Sequence, residues 1–113
     1  MPSGAGESEQ DRPTKISFVY YNPTDPDAFE AAYPEHLEMA RKLPGLTRLQ
    51  ASKVWPKEDG SATPAYRMLD LYFPDYDTAS AAVTTAEAAA LFPSILGVAT
   101  GGLRIVFADV EES

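Results

Sequence analysis

The chain has 113 residues, 44% hydrophobic and 23% charged, a composition that suits one globular domain and excludes wholesale disorder. It holds no cysteine and one histidine, which removes disulfide frameworks, thiolate catalysis and any sulfur-ligated or multi-histidine metal centre within one chain. A net charge of −8 argues against nucleic-acid and anionic-membrane partners, and no apolar run approaches the ~20 residues of a membrane span.

Residues 1–14 (MPSGAGESEQDRPT) are rich in Gly, Ser, Pro and acids and carry almost no apolar side chain. Such a segment cannot bury enough surface to offset its ordering entropy, so it reads as a flexible N-terminal tail. It lacks the basic and apolar regions of a signal peptide, which makes a cytoplasmic location the expectation. One domain is expected over residues 15–110, followed by an acidic tail at 111–113.

Ile16 to Tyr21 (ISFVYY) is dense in β-branched and aromatic residues and ends at Asn22-Pro23, which predicts the first strand. Asp25-Pro26-Asp27 is a helix-start signal. From Phe29 the apolar positions Ala32, Tyr33, Leu37, Ala40 and Leu43 share one helical face, which ends at Pro44-Gly45. Pro34 lies inside that helix and predicts a kink or restart near Tyr33. Leu46 to Trp55 and Ala65 to Phe73 read as strands around a polar hairpin loop, PKEDGSATP. Asp75 or Asp77 can cap a second helix, whose alanine-rich stretch offers Ala82, Ala86, Ala89 and Phe92 to a sheet and stops at Pro93. Gly101-Gly102 turns into a last strand, Leu103 to Val110; because it precedes a strand, it is no phosphate loop.

The order is β-α-β-β-α-β, the α+β arrangement of ferredoxin-like domains, with a four-stranded antiparallel sheet and both helices on one face. Both alternation phases of the first and third strands carry large apolar groups: Ile16, Phe18 and Tyr20 against Val19 and Tyr21, and Leu69, Leu71 and Phe73 against Tyr66, Met68 and Tyr72. A sheet apolar on both faces needs cover on both, and a second copy of the chain supplies it. A homodimer is the expectation.

His36 falls seven residues after Phe29, within ~20° of two full helical turns, so it projects from the inward face of the first helix. An imidazole there is either hydrogen-bonded into the core or aimed into a cavity between helix and sheet. It is also the side chain best suited to proton transfer near neutral pH. Asp70 shares a strand face with Met68 and Tyr72, where a carboxylate is costly unless paired; Arg48 and Arg67 are its candidate partners. Aromatic residues, among them Tyr20, Tyr33, Trp55, Tyr66 and Phe92, can line an apolar pocket with hydroxyl handles. Neither a metal nor an organic cofactor is expected.

An early strand ending in Tyr-Tyr-Asn-Pro, then "DPDAF", "YPEH" and "KLPGL", resembles the EthD family. The later "YFPDYDTA" and the closing "ATGGL" are similar to it as well, so the likeness spans nearly all of residues 16–110. The resemblance implies a dimeric α+β barrel and a role beside a monooxygenase in catabolism. It also places a histidine shortly after a tyrosine in the first helix, matching His36 and Tyr33. The family often reads His-x-Pro-Leu, whereas this chain has His36-Leu37-Glu38-Met39 and carries its proline at position 34. The expected activity is binding of a small hydrophobic organic molecule in a cleft between the first helix and the sheet. His36 would serve as acid/base for proton-transfer or oxidative, degradative chemistry, Tyr33 as hydrogen-bond donor, and Phe29, Tyr20, Trp55, Tyr66, Asp70 and Phe92 as walls. The alternative is a non-catalytic accessory or carrier protein of a monooxygenase or catabolic gene cluster.

Overall fold

A computed structural model of the protein describes residues 12–61 and 63–112. Its elements are β1 (Thr14–Tyr21), α1 (Pro26–Arg41), β2 (Arg48–Lys53), β3 (Ala65–Phe73), α2 (Tyr76–Ala82), α3 (Ala86–Val98) and β4 (Leu103–Asp109). The strands form one sheet in the order β2-β3-β1-β4, and every neighbouring pair is antiparallel. This is the ferredoxin-like α+β fold read from the element order. Of the segment expected as a tail, residues 1–11 lie outside the described residues, as does Ser113 of the acidic tail. Thr14 belongs instead to β1: it is buried and donates from Oγ1 to Asp109 Oδ1 on β4 at 2.8 Å.

Alternation sorts the two central strands cleanly. Ile16, Phe18 and Tyr20 of β1 and Leu69, Leu71 and Phe73 of β3 are all buried and form the core with the helices. Asp25 caps α1 through Ala28 N–H, and the helix then runs unbroken through Pro34 to Arg41. No restart occurs at Tyr33. Pro34 sits on the exposed side of a helix whose opposite stripe (Phe29, Tyr33, His36, Ala40) is buried on both sides of it. Tertiary packing of that kind outweighs one missing backbone bond.

The alanine-rich stretch departs further from expectation. It is two helices, α2 and α3, bent by 71°. Thr84 and Thr85 donate their hydroxyls back to the Ala81 and Ala82 carbonyls, and Thr85 then caps α3 by accepting from Ala88 N–H. Threonine hydroxyls that bond the backbone in this way end one helix and begin another. The break also changes the buried register: Ala88, Leu91 and Ile95 face inward, while Ala86 and Ala89 are exposed. Pro93 is an exposed interior residue of α3 and not its stop.

The second face of the sheet is less apolar than alternation suggests. A polar row, Gln50–Asp70–Ser17, crosses its middle in register. Met68 and Val106 still present exposed apolar surface beside that row. Tyr66 leaves this face altogether, because the register of β1 against β3 shifts between Tyr20 and Tyr21.

Two turns fix the start of α1. Gly101 lies so close to the β1–α1 connection that an added Cβ would stand 1.9 Å from the Asn22 carbonyl oxygen, and Gly102 has φ +93°. Thr24 N–H donates to Thr100 Oγ1 at 2.8 Å. The Ala-Thr-Gly-Gly turn therefore needs its backbone freedom to hold the turn that launches α1.

Candidate functional site

The inward stripe of α1 meets β1 and β3 in a cluster of four aromatic rings. Phe29 stacks on Tyr33 at 5.4 Å and meets Tyr20 and Tyr66 edge-on at 5.2 and 5.3 Å. Tyr20 stands perpendicular to Tyr33 at 6.2 Å. Such edge-to-face pairs add to the stabilisation from burial and fix ring orientation. His36, one turn beyond Tyr33 on the same stripe, is 4% exposed.

Hydrogen bonding inside the cluster is incomplete. The Tyr20 and Tyr33 hydroxyls are sealed from solvent and have no hydrogen-bond partner among the described residues. No hydrogen bond among those residues reaches the His36 imidazole either. Buried polar groups are nearly always partnered, and exceptions concentrate where a ligand or water completes the set. Burial pushes both phenols upward in pKa, so both hydroxyls keep their protons, and Arg67 partly opposes the shift at Tyr33. Burial lowers the pKa of His36 below its ordinary 6.5, with Glu35 opposing, which leaves the ring neutral at neutral pH. A neutral imidazole can accept a proton.

A charged bracket closes one side. Arg67 donates from Nε and Nη2 to the Glu30 carboxylate at 2.9 and 2.6 Å, and the Tyr66 hydroxyl donates to the same group at 2.8 Å. The Arg67 guanidinium also lies 4.6 Å over the Tyr33 ring, and Lys53 lies 4.8 Å over Tyr66. The Arg67 hydrogen bonds hold the Glu30 carboxyl down at about 2. The register shift in β3 makes the bracket possible, since Tyr66 and Arg67, successive in sequence, both reach α1.

No family model matches the chain. It is 30% identical over 98 residues, 86% of its length and 94% of the relative's, to an uncharacterized 11.0 kDa protein in the thcB–thcC intergenic region of Rhodococcus erythropolis. An EthD family protein from Bacillus halodurans superposes with a TM-score of 0.78 at 25% identity, over 89% of this chain and 99% of that one. The chain belongs to the EthD family. A cofactor-independent oxygenase from Streptomyces nogalater, SnoaB, shares the fold at 12% identity and TM-score 0.64, over 91% and 96% of the two chains. A dimeric ferredoxin-like protein from Thermobifida fusca shares it at 14% identity and TM-score 0.66, over 89% and 93%.

In this EthD chain the structure gathers Tyr20, Phe29, Tyr33, His36 and Tyr66 on the α1 side of the sheet. Three of the expected walls lie elsewhere. Trp55 is 86% exposed in the loop after β2. Asp70 is on the opposite face, where Ser17 donates to it and Lys15 Nζ stands 3.8 Å away, so its partner is neither Arg48 nor Arg67. Phe92 packs on Phe18 at 6.0 Å and lines a separate apolar groove of about 180 Å³ with Ile95, Leu96, Leu103 and Ile105. Sequence reasoning missed Glu30, because the register shift that brings Tyr66 to α1 leaves no mark in the alternation pattern. It also offered Arg67 to Asp70, although alternation sets Arg67 with Leu69 and Leu71 on the core face.

These environments fix the pH dependence of stability. His36 has a depressed folded pKa, so the unfolded chain binds the proton better: its contribution is full above about 6.5 and fades as pH falls below it. Glu30, also depressed, contributes fully above about 4.5 and loses that contribution as pH falls toward about 2. Thermal melts across pH 3–8 should show two descents, with His36→Gln removing the upper and Glu30→Gln the lower. A melting profile of His36→Gln that still drops through pH 6.5 contradicts the assignment.

Proposed function

We propose that this EthD protein binds a small hydrophobic organic molecule between α1 and the sheet, with His36 accepting a proton from it and Tyr33 donating a hydrogen bond to it. The observation that carries this reading is a buried, neutral imidazole without a hydrogen bond among the described residues, set one turn from an aromatic cluster. Burial lowers the pKa of this base, so the proton-accepting form is the resting form at neutral pH. The shared fold with a cofactor-independent oxygenase supports chemistry carried by side chains alone. A second reading, a non-catalytic accessory or carrier, draws support from the intergenic location of the Rhodococcus relative beside thcB and thcC.

Two copies are proposed to associate through the sheet face that the helices leave uncovered. Met68 and Val106 give that face its exposed apolar surface, and the Thermobifida protein of the same fold is dimeric. Burial of such a patch against its own copy is the ordinary route to a two-fold dimer. Sedimentation at micromolar concentration should return about twice the 12.2 kDa chain mass; a folded monomer there overturns the assembly.

The chain has one histidine, so its imidazole signals in an NMR titration belong to His36 alone. With 1-tetralone as the probe ligand, the His36 titration should move measurably from its ligand-free midpoint, which itself lies below 6.5. His36→Ala should retain the fold. A carrier would lose little affinity in that variant, about the 0.5–1.5 kcal/mol of one neutral hydrogen bond, whereas an enzyme would lose about 10²–10⁴-fold in turnover. Identical titrations with and without saturating probe would return His36 to a purely structural role.

A further inference from the structure

We infer that the hydroxyls of Tyr20 and Tyr33 together hold one carbonyl oxygen of the ligand, so that the site selects small apolar ketones, with Arg67 as the residue that positions Tyr33. This inference rests on the reading above, that a small hydrophobic molecule enters between α1 and the sheet. Its ground is a pair of side-chain oxygens, one from β1 and one from α1, that are both sealed and both unpartnered among the described residues. The residues themselves are 1% and 5% exposed, and their rings stand perpendicular at 6.2 Å.

The chemistry of the ligand follows from what two such hydroxyls lack. Both phenols stay protonated, so each can donate, and each needs an acceptor. Phe29, packed against both rings, offers none. A ketone oxygen has two lone pairs and no hydrogen, so a single atom can satisfy both donors. A hydrocarbon of the same shape would leave both unmade, and buried donors without acceptors are costly. Selection therefore comes from the pair, and the apolar walls supply the rest of the affinity.

The two donors are not equivalent. The Arg67 guanidinium covers the Tyr33 ring at 4.6 Å and is held there by its two hydrogen bonds to Glu30. A fixed cation over the ring draws electron density from the phenol and strengthens its O–H as a donor. Among the described residues no cation stands over Tyr20. Tyr33 is thus the stronger donor, and Arg67 acts through it without touching the ligand.

The test compares 1-tetralone with tetralin, its hydrocarbon counterpart, by calorimetric affinity on the intact protein. The ketone should bind about tenfold more tightly, the scale of two neutral hydrogen bonds. Tyr20→Phe and Tyr33→Phe should each weaken ketone binding severalfold and leave tetralin unchanged. Arg67→Met should reduce the preference for the ketone while tetralin still binds. Without ligand, both phenylalanine variants should melt above the wild type, because each removes a buried hydroxyl that has no partner. Equal affinity for ketone and hydrocarbon overturns the inference and leaves the binding reading intact. Binding of neither probe overturns both. Phenylalanine variants that melt below the wild type would mean the hydroxyls are satisfied within the fold, which also overturns it.

Discussion

Three helices share the cover of two central strands whose inward side chains are almost all large, and α1 takes its part with Phe29, Tyr33, His36 and Ala40. These positions, separated by four, three and four residues, form a single stripe at helical period. Ring-on-ring packing of Phe29 and Tyr33 with Tyr20 and Tyr66 sets where α1 lies. Once that contact is made, the place of His36 follows without further choice. The Asp25 cap and the Thr24–Thr100 hydrogen bond hold the start of the helix, and the Glu30–Arg67 pair holds its first turns to β3.

Polarity is distributed between the two sides of the sheet in opposite ways. On the uncovered face, Asp70 is partnered by Ser17 and Lys15, and Tyr72 donates to Gln50 at 2.9 Å. Hydrogen-bonding groups there are largely matched to one another. On the helix side the charged groups are likewise matched, Arg67 with Glu30, but the Tyr20 and Tyr33 hydroxyls are sealed and have no partner among the described residues. Leaving such groups unmatched costs stability, of the order of 1–3 kcal/mol for each sealed donor. That this cost falls at one place, among aromatic rings, is what supports the proposed binding site.

Much of this was legible in the chain. The first strand stood out as a β-branched and aromatic run, and β3 matches its expected span from Ala65 to Phe73. Helical spacing placed His36 on the inward stripe with Phe29, and the Tyr-Pro-Glu-His and Leu-Pro-Gly-Leu segments carried the family likeness. What failed did so for local reasons. Proline reads as a stop, yet Pro34 and Pro93 sit on exposed sides of helices whose other sides are buried. The 71° break between α2 and α3 depends on threonine hydroxyls turning back on carbonyls, a choice that composition does not reveal. Strict alternation misplaced Tyr66, because one register shift in a neighbouring pair of strands is invisible to a period-two pattern. Asp70 and Trp55 were grouped with the site by residue type alone, and three-dimensional placement separates them from it.

The most direct test is a crystal structure of the protein with 1-tetralone bound. The account predicts the ketone between α1 and the sheet, its oxygen within 3.2 Å of both the Tyr20 and Tyr33 hydroxyls, about the limit for a good hydrogen bond, and its ring against Phe29 and His36. Electron density for the probe in the groove beside Phe92 and Ile105, with the two hydroxyls still unpartnered, would contradict it.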